Sequence, residues 1–538
     1  MTTKIKYGLM ILLILLMVMP ALQKALHLVQ VKPLSGDFRE MPAPRLTWES
    51  WLSGQYQSQA DAYIEQHTGF RPWLVRLNNQ LDYSLFRKAN AEGVVIGKEG
   101  YLFESDYIRE YLGEDYTGRK FVHKNMRRLR FLQEYLKDAY GTDLLLVFEP
   151  GKARYYPEYL PSTTATSKQG MTNFKAYKHA ADSLGVRYLD LNAFYLSQKG
   201  KHKYPLYTRN GIHWSEYGAV LAADTLIRFL EDFRGIDMPE MWVDTIEYAA
   251  RPRSTDNDVS KTMNLLHEPP MDTMAYPQLA FGDTAGKDRP NVLVVGDSYY
   301  WNIFNTRLPR HLFKNEAFWY FYHLVYPDTY SGEKTVAEVH LREETEKQDI
   351  ILLMVTHRFL FKFDWGFVND LYRLYAPTSD LDRLHDNKIT ITKDNHWFTQ
   401  VIQKARERDV PVGKMLELDA LYMLETYKLP VYLSLYGPAH YGKKIRQDED
   451  WLRQVREKAK SRGIAFEEMI AMDAAYMFRK QHPKLYEKYQ YIQDVSRRIR
   501  SDSIWMKDIL RKARHYQMTP EEMIRCDAEW MWEQKANK

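Results

Sequence analysis

At 538 residues the chain exceeds what one hydrophobic core usually serves, so roughly two to four domains are expected. Apolar residues at 45% and charged residues at 27% are a globular balance. The formal charge of +5 comes from 75 basic and 70 acidic residues with no long basic run, which argues against nucleic acid as a partner; the single cysteine, Cys526, excludes an intrachain disulfide and a Cys/His zinc cluster.

The first element in chain order is Tyr7 to Gln23, seventeen residues without a charge. That is the lower limit for a helix crossing about 30 Å of hydrocarbon. Lys4 and Lys6 precede it and no clear small-residue cleavage site follows, so residues 1–30 read as an uncleaved signal anchor. The order of regions favours a single pass through an envelope membrane with the body exported to its outer side. Residues 31–84 read as a connecting helical region.

An α/β domain is expected over residues 85–380. Val122, Met126, Leu129, Leu132 and Leu136 recur at helical spacing between Phe121 and Tyr140. Asp143 to Phe148 is a short apolar run of the kind found in a parallel strand buried on both faces. A helical stretch from Phe174 to Leu184 leads through Gly185 to a second strand, Val186 to Leu191. A helix from Glu216 to Leu230 follows, with Ser215 as its cap. Asn291 to Val295 and Ile350 to Val355 are two further buried-type strands. Alternating elements of this kind predict a doubly wound parallel sheet, flavodoxin-like in outline, with its chemistry at the carboxyl ends of the strands. Residues 234–290 break the pattern and read either as an insertion or lid beside the site or as a long surface connection.

Residues 390–538 repeat with a period of 54: Trp397, Trp451 and Trp505 align, as do Met415, Met469 and Met523, and Asp419, Asp473 and Asp527. Each of the three units reads as two helices joined by a turn. The last carries a capping box, Thr519-Pro520-Glu521-Glu522. The repeat residues are expected to pack between neighbours. The 39 tyrosines and 13 tryptophans of the chain either fill such seams and cores or stack on sugar rings.

The chemistry-bearing residues lie at strand ends. Gly296-Asp297-Ser298 follows the Asn291–Val295 strand, which exposes a serine hydroxyl on a tight turn and offers backbone N–H groups to an oxyanion. Gly211-Ile212-His213-Trp214 precedes a helix, so His213 is placed to act as general base toward Ser298 across the sheet rim. Lys152, Arg154, His357 and Arg358 follow strands and are candidates either for binding an acidic glycan or for internal ion pairs. Tyr299, Tyr300 and Trp301 either stack on sugar or bury the serine turn. No cofactor and no metal site is indicated.

Four blocks together resemble the SGNH superfamily of serine esterases, and within it the AlgJ/AlgX-type polysaccharide O-acetyltransferases. They are Val95 to Phe103 (VIGKEGYLF), Glu149-Pro150-Gly151-Lys152 with Tyr156-Pro157, Leu206-Tyr207 through His213-Trp214 and Gly218-Ala219, and Gly296-Asp297-Ser298. The resemblance implies Ser298 as nucleophile, His213 as base, a polysaccharide substrate, and a membrane-bound O-acyltransferase as acetyl donor. O-acetyl transfer is the leading expectation, with a glycan O-acetylesterase or a catalytically lapsed glycan-binding scaffold as alternatives. The family writes D-x-H-W, and here Gly211 stands in the aspartate's place beside Asn210. Asp190, Asp283 or a backbone carbonyl is then left to orient His213, with Asp297 and Asn210 as further orienting or oxyanion candidates.

Overall fold

Strands with no polar interruption are stable only where both sheet faces are covered. The computed structural model, which describes residues 3–36, 40–165, 167 and 169–536, puts three such strands side by side. β3 (Asp143–Glu149) and β7 (Val292–Gly296) flank β10 (Ile350–Thr356), all parallel, with Leu352 beside both Leu145 and Val294. Side chains alternate across the strands. Leu145, Val294 and Leu352 therefore enter one core, and Leu146, Val295 and Leu353 the other. The first core is covered by the helix Glu216–Arg234 through Ala219, Ala223 and Leu226. The second is covered by the helix Arg119–Tyr140 through Met126, Leu129 and Leu132, and by the helices Asn173–Leu184 and Phe367–Tyr375.

The full sheet has six strands in the order β4-β3-β10-β7-β8-β9. β4 (Tyr188–Asp190) is only three residues long, because Leu191 already begins a helix. β8 (Ala317–Tyr320) extends the parallel set, and β9 (Leu324–Tyr326) turns back antiparallel. The sheet is thus mixed at one edge, and β8 and β9 had no sequence-based counterpart. Ser215 caps the helix Glu216–Arg234 by accepting from the Gly218 N–H at 3.0 Å.

Two small hairpins stand outside the sheet. β1 (Val94–Ile96) pairs with β2 (Leu102–Glu104). Within residues 234–290, read as patternless, β5 (Met241–Ala249) pairs antiparallel with β6 (Met274–Phe281). This ribbon has one largely exposed strand, so burial imposes no alternation of apolar and polar residues along it. Between its strands lies a short helix, Asp258–Thr262.

At the N-terminus, α1 (Thr3–Leu26) contains a stretch, Lys4–Leu26, long and apolar enough to cross a membrane. Three helices follow: α2 (Trp48–Leu52), α3 (Gln55–His67) and α4 (Arg71–Phe86).

The C-terminal segment is all helix. Asp394, Asp448 and Asp502, again 54 apart, each cap a helix by accepting from the N–H of Trp397, Trp451 and Trp505. Lys404 pairs with Asp419, Lys458 with Asp473 and Lys512 with Asp527, so each unit carries the same ion pair. The first two units hold three helices rather than two, because Leu429–Gln447 and Pro483–Ser501 complete them. These third helices share little beyond Tyr432/Tyr486, Ile445/Ile499 and Arg446/Arg500, and Pro438 interrupts the first, which hid them from periodicity. The capping box at Thr519 and Glu522 is formed reciprocally.

Glu522 also ties this segment to the α/β domain, bonding Arg127 at 2.8 Å and Lys124 at 3.0 Å. Burial raises its carboxyl, but the Lys124 and Arg127 charges outweigh that and hold it well below the usual carboxylate range. Its contribution to stability is therefore present above the unfolded-state value and is lost as pH falls through the folded-state one. Glu522→Gln is expected to cost about 2 kcal/mol at pH 7 and to flatten the loss of stability below about pH 4.5, as measured by urea unfolding at both pH values.

Candidate active site

β7 runs into the turn that carries Ser298, and Gly296 permits it. A Cβ there would lie 3.3 Å from both the Cβ and the carbonyl oxygen of Met354 on the neighbouring strand. Asp297 then anchors the turn to β10. Its buried carboxylate accepts from the Thr356 N–H at 2.7 Å, from the Thr356 hydroxyl, and from the Tyr299 N–H at 3.0 Å. Burial pushes the Asp297 carboxyl up, and it pushes that of neighbouring Glu149 well above its ordinary value.

The His213 loop is bound to this turn by two crossed hydrogen bonds. The Trp214 indole N–H donates to the Tyr299 carbonyl at 3.1 Å, and the Tyr299 hydroxyl donates to the Ile212 carbonyl at 2.7 Å. The Lys152 ammonium donates to the carbonyls of Leu102, Arg209 and Gly211 at 2.7, 3.0 and 2.6 Å. Three acceptors match its three N–H donors, while burial pushes the amine down to about 7. Held in this way, His213 Nε2 lies 2.8 Å from Ser298 Oγ, although the two residues are 85 positions apart.

The other ring nitrogen, Nδ1, is 2.5 Å from Asp258 Oδ2. A carboxylate can only accept, so Nδ1 carries the proton and Nε2 is left to accept from the serine hydroxyl. Asp258 opens the short helix inside the insertion, and its Oδ1 accepts from the Ile212 N–H at 2.9 Å. Gly211 explains the arrangement. A Cβ at that position would fall 2.4 Å from the Thr255 carbonyl and 2.9 Å from that of Asp256. The backbone leading to Asp258 therefore occupies the space that a side chain at 211 would need.

Asp258 was not among the residues expected to orient His213, and those that were lie elsewhere. Asp190 caps the helix Leu191–Gln198 and pairs with Lys178. Asp283 bonds the Ala285 N–H in the loop after β6. Asn210 is buried and donates its amide to the Pro269 carbonyl at 3.0 Å, so it faces neither the ring nor the hydroxyl. Asp297 orients the serine turn rather than the histidine. The one sequence-level signal for Asp258 was the acidic run Asp256-Asn257-Asp258 in a segment without periodicity.

Of the basic candidates, three are turned inward. Lys152 is the clamp described above. Arg154 donates to Glu110 at 2.9 Å and to His357 Nδ1 at 3.1 Å. His357 is fully buried against Phe174, and desolvation, reinforced by Arg154, drives its pKa well below the ordinary value, so it is neutral. These serve as internal partners and leave no charge for a ligand. Arg358 differs. It pairs with Glu104 at 2.6 Å and Asp106 at 3.2 Å, and with them lines a polar cleft of about 760 Å³. Burial raises the Glu104 carboxyl against the pull of Arg358. Thr262, the last residue of the helix that Asp258 opens, also lines the cleft, so the cleft borders the element that carries Asp258. Tyr299 is buried. Trp301 is half-buried, edge-on to Phe304, Phe318 and Tyr326, so both rings pack the turn.

A serine, a histidine and a carboxylate linked in this order can support acyl transfer. Residues 94–315 match the family model described as SGNH hydrolase-like domain, acetyltransferase AlgX. The α/β domain is of the SGNH-like AlgJ/AlgX type. The probable alginate O-acetylase AlgJ of Pseudomonas fluorescens is 24% identical over 263 residues, 47% of this chain and 64% of that protein. Its namesake in Pseudomonas aeruginosa is 27% identical over 190 residues, 35% of this chain and 46% of that protein. The one in Pseudomonas putida is 24% identical over 175 residues, 32% of this chain and 43% of that protein. The chain thus spans between 43 and 64% of the length of these relatives. Among solved structures, the O-acetyltransferase domain of Pseudomonas putida AlgJ is 18% identical with a TM-score of 0.35, covering 52% of this chain and 99% of that one. Pseudomonas aeruginosa AlgX is 14% identical with a TM-score of 0.34, covering 52% of this chain and 66% of that one.

Reinstating the aspartate of the D-x-H-W pattern is expected to harm this protein. Gly211→Asp forces the Thr255–Asp256 backbone away and should cost about 2–3 kcal/mol of stability, with no gain in serine reactivity, measured by thermal unfolding and by labelling with a fluorophosphonate.

Proposed function

We propose that the chain transfers O-acetyl groups to an extracytoplasmic polysaccharide through a Ser298 acyl-enzyme, with His213 as general base and Asp258 as the carboxylate that orients it. The observation that carries this reading is the continuous chain of contacts from Ser298 Oγ through both nitrogens of His213 to Asp258. In the first step His213 Nε2 takes the Ser298 proton as Oγ attacks the acetyl carbonyl, and the donor's leaving group departs with that proton. In the second step a glycan hydroxyl loses its proton to Nε2 and attacks the acetyl-serine, and Ser298 Oγ leaves and is reprotonated. Asp258 fixes the tautomer and stabilises the imidazolium formed in each step. Among the described residues the Ser298 N–H has no acceptor, which leaves it available to the carbonyl oxygen as charge develops there.

The substrate class follows from the relatives named alginate O-acetylases. The polar cleft lined by Arg358, Glu104, Asp106 and Asn79, which borders the Asp258 helix through Thr262, is of a size and character suited to hydroxyl-rich sugars. In this reading α1 is a single-pass inner-membrane anchor with the body in the periplasm, and a membrane-bound O-acyltransferase supplies the acetyl group. A lapsed scaffold was attractive while the triad acid was missing from position 211; Asp258 removes that reason.

Two measurements test the proposal. Asp258→Asn should lower acetyl-enzyme formation from an activated acetyl ester by about 10⁴-fold, the loss known for this replacement in a serine protease, while Asp190→Asn should leave it within about twofold. With wild-type protein, acidic oligosaccharide should divert the acetyl group from water to sugar. Acetate release indifferent to every oligosaccharide would make the protein an esterase and defeat the transferase reading.

A further inference from the structure

Large apolar side chains left in water usually mark a surface that something covers. Outside α1 they concentrate between residues 46 and 86. On α4 the adjacent Trp73 and Leu74 are followed at three- or four-residue spacing by Leu77, Leu81 and Leu85, so they form one stripe along the helix. All are exposed, Leu85 by 67%. The opposite side of α4 is fixed to the rest of the protein: Arg76 donates to the carbonyls of Lys32 and Pro33, and Asn79 to that of Met263. On α2, Trp48 and Leu52 are 83% and 79% exposed.

The position of this layer relative to α1 identifies what covers it. The corner between α3 and α4 sits against the last turns of α1, so closely that a Cβ on Gly69 would lie 2.1 Å from the Pro20 carbonyl and 2.8 Å from the Lys24 nitrogen. Pro20 is six residues from the end of α1, about 9 Å along its axis. A helix that buries the uncharged run Tyr7 to Gln23 in hydrocarbon carries Pro20 three residues, about 4.5 Å, inside the boundary with the headgroup layer. The α3–α4 corner must share that depth.

We infer that α2 and α4 lie in the bilayer surface, their tryptophans and leucines seated at the boundary between headgroups and acyl chains, an inference that rests on α1 spanning the membrane. The consequence reaches the site. Val75 and Asn79, on α4, line the polar cleft shared with Glu104 and Arg358, so one helix thickness, about 10 Å, separates that cleft from the lipid. The cleft then opens at the level where a membrane-borne acyl donor presents its group.

The test uses the full chain in phospholipid vesicles, with a nitroxide on single cysteines at positions 13, 77, 81 and 422; Cys526 is buried. Labels replacing Leu77 and Leu81 should collide with dissolved oxygen and lose the line-broadening caused by an aqueous nickel chelate. A label replacing the exposed Tyr422 should keep that broadening. Nickel broadening at 77 and 81 equal to that at 422, while the label replacing Leu13 is shielded, would overturn the docking and spare the anchor. Labels at 77 and 81 reached by neither agent would mean a protein covers the stripe, which also overturns it. Nickel access at 13 would remove the anchor itself.

Discussion

Ser298 and His213 stand on separate loops, and the interaction on which the rest depends is the crossed pair of hydrogen bonds between Trp214 and Tyr299. Each bond joins a side chain of one loop to the backbone of the other, so neither loop can shift without breaking both. Buried bonds of this kind are costly to leave unmade, since an orphaned carbonyl or indole N–H in a dry interior loses about 1–3 kcal/mol. Lys152 braces the same loop by holding the carbonyls of Arg209 and Gly211, and ties it to Leu102 of β2. The sheet supplies the base of this assembly, because β7 and β10 fix Asp297 against Thr356.

The carboxylate arrives by another route. In the D-x-H-W pattern the acid stands two residues before the histidine. Here it comes from 45 residues further along the chain, on a helix carried by the β5–β6 ribbon. Glycine at 211 and aspartate at 258 are therefore two halves of one arrangement: the backbone that delivers the second fills the room vacated by the first. A charge-assisted bond between a carboxylate and an imidazole N–H depends on the direction of approach, not on the stretch of chain that provides it.

The parts of this architecture legible in the sequence were those governed by burial. The unbroken apolar runs at Leu144, Val292 and Ile350 left no other placement than central strands, and Ser215 announced the start of its helix. Ser298 and His213 were readable because a strand end and a helix entry constrain position. Asp258 was not, since its position depends on a ribbon whose exposed strand imposes no hydrophobic alternation, and on a clash at Gly211 that exists only in three dimensions. The basic residues after strands illustrate the converse. Lys152, Arg154 and His357 had the composition of a binding site, but burial and local partners absorb all three. Arg358, the fourth of these candidates, lines a cleft.

The most direct test of the central claim is the proton NMR signal of the His213 ring, assigned by selective ¹⁵N-histidine labelling. A strong charge-assisted bond to Asp258 predicts an Nδ1 proton far downfield, present in wild type and in Asp190→Asn and absent in Asp258→Asn. A downfield signal that survives the loss of Asp258, or that is missing from the wild-type protein, would contradict the account.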